Sequence, residues 1–187
     1  MFEKVLIANR GAIACRIIRT LRSMGIEPVA VFSDADRNSP HVRLADHAVH
    51  IGPAAARQSY RNAEAVIEAA RSVGATGIHP GYGFLSESAE FARACEDAGI
   101  AFVGPTPEQL RDFGLKHTAR SLARAADVPL LPGSELLESL EAARAAAVEI
   151  GFPVRLKSTA GGGGIGMRRC HGDGELVVAY TSVRRLA

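Results

Sequence analysis

An α/β architecture, a parallel sheet with helices on both faces, follows from three features of residues 1–105. Short apolar runs with β character alternate with helical stretches, the helical stretches stop at glycines, and the apolar runs open into turns of Asn, Asp, Gly and Pro. Strands separated by helices of this length need crossover connections, which puts helices over both faces of the sheet.

The first strand, residues 4–8 (KVLIA), reads as buried and runs into Asn9-Arg10-Gly11. The helix after it aligns Ile13, Ile17, Ile18 and Leu21 on one face and stops at Gly25. Residues 28–33 (PVAVFS) form a second strand and residues 48–51 a weaker third. An Ala-rich helix spans 62–73, with Asn62 as its cap and Gly74 beyond it. A fourth strand, 76–79, leads into Pro80-Gly81-Tyr82-Gly83. The next helix covers 87–98, with Glu87 as a candidate cap, and a fifth strand over 101–103 ends at Gly104-Pro105. Right-handed crossovers bring the strand ends Asn9, Asp34, His79 and Gly104 to one rim, where such sheets bind ligands. After residue 105 the character changes. Two helices (107–113 and 115–126), an extended linker at 128–133, a helix over 137–150, extended residues 152–157, a glycine run, extended residues 167–170 and an amphipathic stretch over 173–187 complete the chain.

Composition narrows the function classes. With 22 basic and 20 acidic side chains the formal charge is +2, and the basic residues are dispersed, so no general attraction for nucleic acid or an anionic membrane is expected. No uncharged apolar run nears the roughly 18 residues of a membrane span. Three widely separated cysteines, Cys15, Cys95 and Cys170, argue against a disulfide scaffold or structural zinc site and favour a reducing compartment. The expectation is a soluble cytoplasmic protein.

The densest chemistry lies at Lys157-Ser158-Thr159-Ala160-Gly161-Gly162-Gly163-Gly164-Ile165-Gly166-Met167. Consecutive glycines pack no side chain and cost entropy to order, so they suit a backbone that approaches a ligand closely and offers it N–H groups. Phosphate oxygens are the common target of such a cradle, and Lys157 adds a point charge for the same anion. A Walker A loop is excluded, since the chain has no Gly-Lys pair. Gly161, Gly163 and Gly166 satisfy G-x-G-x-x-G formally, yet extended residues follow where a helix N-terminus should hold the pyrophosphate. The context is strand, lysine, glycine loop, strand: a hairpin lid. A surface hairpin without a ligand is the plainer alternative.

Lys157 and its glycine loop resemble the nucleotide-covering loop of the ATP-grasp family. Val5-Leu6-Ile7-Ala8-Asn9-Arg10-Gly11 together with His79-Pro80-Gly81-Tyr82-Gly83-Phe84-Leu85-Ser86-Glu87 resembles the N-terminal part of biotin carboxylases. Asp34-Ala35-Asp36-Arg37, Ala45-Asp46 and Ile51-Gly52-Pro53 fall in that family's order, and the resemblance covers the whole chain. Phe113-Gly114-Leu115-Lys116-His117-Thr118-Ala119-Arg120 and the Lys157 loop are most similar to the biotin carboxylase part of urea carboxylase. Acetyl-CoA-type enzymes more often carry arginine where Ile165 stands.

The resemblance implies a Rossmann-like parallel sheet over 1–112 (the biotin carboxylase N-terminal domain), a helical linker over 113–132, and an incomplete ATP-grasp lid over 133–187. It implies that MgATP phosphorylates bicarbonate to carboxyphosphate, whose CO₂ passes to biotin on a biotinylated carrier domain. Catalysis of this kind is mostly positioning and electrostatics. Lys157 would contact the ATP phosphates, Gly163 and Gly164 would line the lid, and Lys116 would be a second ATP-contacting lysine. Tyr82 and Gly83 would lie beside biotin and bicarbonate. The Mg²⁺ ligands and the catalytic base are expected outside this chain, so no catalytic or metal-binding residue is assigned here and the isolated chain is expected to be inactive. A homodimer is also expected.

Each assignment has a plainer structural reading. Lys116 shares a helix face with Arg120 and Arg124, as a solvated stripe would. Gly81 and Gly83 serve to shape a strand-to-helix turn, and His79 reads as hydrogen-bonded structure. The cysteines read as core residues. Two departures stand out: Ala12 replaces a common glutamate, and Arg155 stands where an aliphatic residue is expected. Arg155 must face solvent or meet a carboxylate, because unpaired burial costs several kcal/mol. The rival readings are an inactive fragment or docking module, and a Rossmann dehydrogenase.

Overall fold

The computed structural model describes residues 2–158 and 166–185. Five parallel strands, β1 (Lys4–Ile7), β2 (Glu27–Phe32), β3 (His47–His50), β4 (Gly77–His79) and β5 (Ala101–Phe102), lie in the order β3-β2-β1-β4-β5. Helices α1 (Gly11–Ser23), α2 (Pro40–Leu44), α3 (Ala63–Ser72) and α4 (Ala89–Asp97) connect them. β1 is central, and past Lys4 it is buried on both faces, which is why Val5, Leu6 and Ile7 are apolar in succession rather than alternating. Val5 and Ile7 pack against Ile17, Ile18 and Leu21 of α1 on one side. Leu6 packs on the other face with Val29, Val31 and Ile78, beneath Val66 and Ala70 of α3 and Phe91 and Cys95 of α4.

The chain divides into two compact units, Met1–Arg111 and Asp112–Ala187. After α5 (Pro107–Gly114), the second unit holds α6 (Lys116–Ala125), α7 (Leu140–Ile150), the antiparallel strands β6 (Val154–Lys157) and β7 (Met167–Cys170), and α8 (Asp173–Arg184). Its core consists of Ala147, Cys170, Leu176 and Ala179, with Val154 and Leu156 packed against them.

Local chemistry explains where boundaries differ from expectation. Asn62 caps α3 as read, accepting from the Ala65 N–H at 3.2 Å. The cap of α4 is Ser88, whose Oγ accepts from the Phe91 N–H at 3.2 Å, so the helix starts at Ala89 and Glu87 is not its cap. A hydroxyl so close to the backbone reaches the third N–H of the helix more readily than a longer carboxylate. Ser139 likewise starts α7 at Leu140, later than the periodicity places it. The five-residue α2 was missed because it is too short to show a helical period.

Candidate functional site

In the first unit, strand order reverses between β1 and β4, and at their carboxyl ends two turns meet. Asn9 joins them. Its side chain is 4% exposed. Nδ2 donates to the Pro80 and Tyr82 carbonyls, both at 2.8 Å, while Oδ1 accepts from the Arg10 N–H at 2.9 Å. Gly81 packs so tightly on this amide that a Cβ would lie 2.8 Å from Nδ2, and its φ of +66° already favours glycine. His79 completes the turn: its Nδ1 accepts from the Gly81 N–H at 3.0 Å. Desolvation, and then the charge of Arg16, lower the His79 pKa and keep the ring in the neutral form this bond requires.

The far end of the turn is also fixed. Phe84 has a left-handed φ of +42°, a conformation costing roughly 1–3 kcal/mol in a non-glycine residue. It stacks on Tyr60, with centroids 5.1 Å apart and rings 11° from parallel. The Arg10 guanidinium lies over both rings, 5.3 Å from Tyr60 and 5.8 Å from Phe84, and pairs with Asp36 at 3.1 Å. Asp36 Oδ2 also accepts from the Tyr60 and Ser33 hydroxyls, each at 2.8 Å. Burial alone would raise the Asp36 pKa, but these hydrogen bonds and Arg10 outweigh it and lower it. Burial, and then the bond to Asp36, push the Tyr60 phenol up to about 12, so it stays a donor. From this held turn Tyr82 projects 67% exposed, with Gly83 beside it at φ +67°. The pairing of Arg10 with Asp36 and Tyr60 escaped sequence reading. Asn9-Arg10-Gly11 and Asp34–Arg37 stand out in the sequence, whereas nothing near Tyr60 signals its role.

In the second unit, Lys116 is the first residue of α6 and is exposed. The stripe it begins is more than solvated surface. Arg120 Nη2 donates to the Leu131 carbonyl at 3.1 Å, and Arg124 pairs with Glu135, which also accepts from Ser121. Two cations of the stripe therefore tie segment 131–135 to α6. Lys157 ends β6 opposite Met167, and the Ser158 N–H donates to the Gly166 carbonyl at 2.9 Å. Gly166 has φ +71°, and a Cβ there would lie 2.7 Å from Ser158 Oγ. Both ends of the glycine run are thus pinned. Gly163 and Gly164 lie outside the described residues. Val154 and Leu156 turn toward the core while Arg155 and Lys157 are exposed, so Arg155 meets solvent. Cys95 and Cys170 are buried free thiols, and burial raises the pKa of both, which suits packing rather than nucleophilic chemistry. Among the described residues no group of three side chains could hold a metal ion, and no helix is long and apolar enough to cross a membrane.

A doubly covered parallel sheet followed by a unit with a glycine hairpin is the biotin carboxylase form of the ATP-grasp architecture. Residues 1–110 match the biotin carboxylase N-terminal domain, and the chain belongs to that family. Residues 116–187 match the ATP binding domain of the carbamoyl-phosphate synthase L chain. The chain is 52% identical to the mitochondrial methylcrotonoyl-CoA carboxylase subunit alpha of Oryza sativa, over 99% of its own length and 25% of the relative's. It is 49% identical to the urea amidolyase of Saccharomyces cerevisiae, over 98% of its own length and 10% of that protein's. It superposes with TM-score 0.95 and 45% identity on the biotin carboxylase domain of Hydrogenobacter thermophilus 2-oxoglutarate carboxylase, solved as a dimer with MgADP, ADP and bicarbonate. That match covers 100% of this chain and 41% of the solved one.

Proposed function

We propose that this chain supplies the N-terminal domain and part of the ATP site of a biotin-dependent carboxylase, which carboxylates biotin with bicarbonate at the expense of ATP. The observation that carries this reading is Lys157, exposed at the end of β6 where Ser158 and Gly166 pin the mouth of the glycine run. A cation beside a backbone with no side chains to obstruct it suits the oxygens of a nucleotide's phosphates.

Bound MgATP supplies the phosphoryl group that activates bicarbonate. Lys157 and Lys116 would hold its phosphate oxygens, and Gly163 and Gly164 are assigned to its cover by the family resemblance alone. Tyr82 and Gly83, on the turn fixed by Asn9 and His79, would contact biotin on its carrier domain and bicarbonate. The Mg²⁺ ligands and the catalytic base are taken to lie outside this chain, and none of its residues is assigned either role. Urea as the final acceptor rests on Ile165 and the 113–120 segment, and identities of 52% and 49% to enzymes with different acceptors do not favour it over an acyl-CoA. A cytoplasmic homodimer completes the reading.

Calorimetric titration of MgATP into the chain tests it. Binding weakened about tenfold by Lys157→Ala is expected, the scale of one charge-assisted hydrogen bond. Equal affinity in the wild type and the variant would exclude the proposed seat.

A further inference from the structure

The strain at Phe84 exceeds what shaping a turn requires. Three of the four residues 81–84 have left-handed backbone: Gly81 at φ +66°, Gly83 at φ +67° and Phe84 at φ +42°. Glycine meets the first two at no steric cost and would do so at 84 as well. A phenyl ring stands there instead. Strained backbone of this kind persists only where the surroundings over-determine it, and it gathers at functional sites. Here the surroundings act on the ring. It stacks on Tyr60 with centroids 5.1 Å apart, and the Arg10 guanidinium lies over both. Asp36 pairs with that guanidinium at 3.1 Å and accepts from the Tyr60 hydroxyl at 2.8 Å, so one carboxylate sets two of the three members of the stack.

Adjacent residues thus grip the turn at its two ends. Asn9 holds the Pro80 and Tyr82 carbonyls, and Arg10 holds the Phe84 ring. Between the grips Tyr82 is 67% exposed and Gly83 carries no side chain, so the backbone on either side sets where both stand. A group held in place before its ligand arrives spares binding the cost of ordering it.

We propose that Arg10, Asp36 and Tyr60 are positioning residues for the carboxyl acceptor: their clamp on Phe84 holds Tyr82 and Gly83 in the one orientation that receives biotin. This rests on the reading of the 80–84 turn as the biotin-facing side of the site. The three residues act through Phe84 rather than by touching the acceptor. Lys116 and Lys157, assigned to the nucleotide, belong to the second unit, so loosening the clamp weakens the hold on biotin and spares that on ATP.

The test has two readouts. The first is the rate of chymotrypsin cleavage between Tyr82 and Gly83 in the chain alone. Arg10→Ala and Tyr60→Leu should speed it about tenfold, Arg10→Lys less, and Tyr60→Phe, which keeps the ring, least of all. Arg10 is half-exposed, so its variants serve even where Tyr60→Leu, in the core, does not fold. The second is turnover with free biotin by the chain completed with the remaining portion of a biotin carboxylase. Arg10→Ala should raise KM for biotin about tenfold while kcat and KM for ATP stay near wild type, and Tyr60→Phe should restore most of what Tyr60→Leu loses. Unchanged cleavage in Arg10→Ala, or a fall in kcat with both KM values raised alike, would overturn the positioning role. A raised KM for biotin in Tyr82→Ala but not in Arg10→Ala would overturn it and leave the reading of the turn standing. Indifference of both variants, or no turnover by the completed wild type, would remove that reading and the positioning role together.

Discussion

At the scale of single residues, the turn carrying Tyr82 is held by side chains distant in sequence. Asn9 reaches across more than seventy positions to satisfy two carbonyls, and Asn9→Ala leaves the buried Pro80 carbonyl without its donor. An unpaired buried group of this kind costs about 1–3 kcal/mol, which a urea midpoint will report. Gly81→Ala should cost a similar amount, because an alanine must adopt φ +66° with its Cβ 2.8 Å from the Asn9 amide. Combining the two should cost less than their sum, since removing the amide removes the clash; strict additivity would show that the two residues are not in contact. pH offers a second handle. Burial lowers the pKa of both His41 and His79 from the usual 6.5, and Arg16 lowers His79 further. The unfolded chain then binds more protons than the folded one just below pH 6.5, so unfolding free energy should be fully present above that pH and fall as pH drops through it. Denaturant titrations at a series of pH values will show this slope, and His41→Asn/His79→Asn should reduce it; stability that rises on acidification would contradict the assignment.

At the scale of elements, legibility followed burial. β1 and β2 are readable because their doubly covered stretches, Val5–Ile7 and residues 28–32, are apolar without a break, and α1 and α3 because each buries one regular stripe. The start of α4 and the existence of α2 were not readable, since a cap is settled by which side chain reaches the N–H, and five residues carry no period. The hairpin β6–β7 was legible as two extended pieces around glycines, yet the Arg155–Arg169 register requires the pairing itself. Packing makes a prediction at this scale. Leu176 is 1% exposed in a core that shares no residue with the two cores of the first unit. Leu176→Ala should cost about 2–5 kcal/mol, speed amide exchange in β6 and β7, and leave β1 amides unchanged. Accelerated exchange in β1 would show that the units unfold as one.

At the scale of the whole molecule, the family was legible and the site only partly so. Motifs with residues adjacent in sequence, such as His79–Glu87 and the Lys157 loop, pointed to it directly. The Arg10–Asp36–Tyr60 arrangement did not, because its members come from separate loops that only the folded sheet brings together. The chain spans 25% of its rice relative and 41% of the solved Hydrogenobacter domain. The decisive measurement is bicarbonate-dependent release of phosphate from ATP with free biotin present, made on the chain alone and after supplying the remaining portion of a biotin carboxylase. The account predicts no release from the chain alone, and release on complementation that requires both bicarbonate and Lys157. Complementation without activity, or activity indifferent to Lys157→Ala, would contradict it.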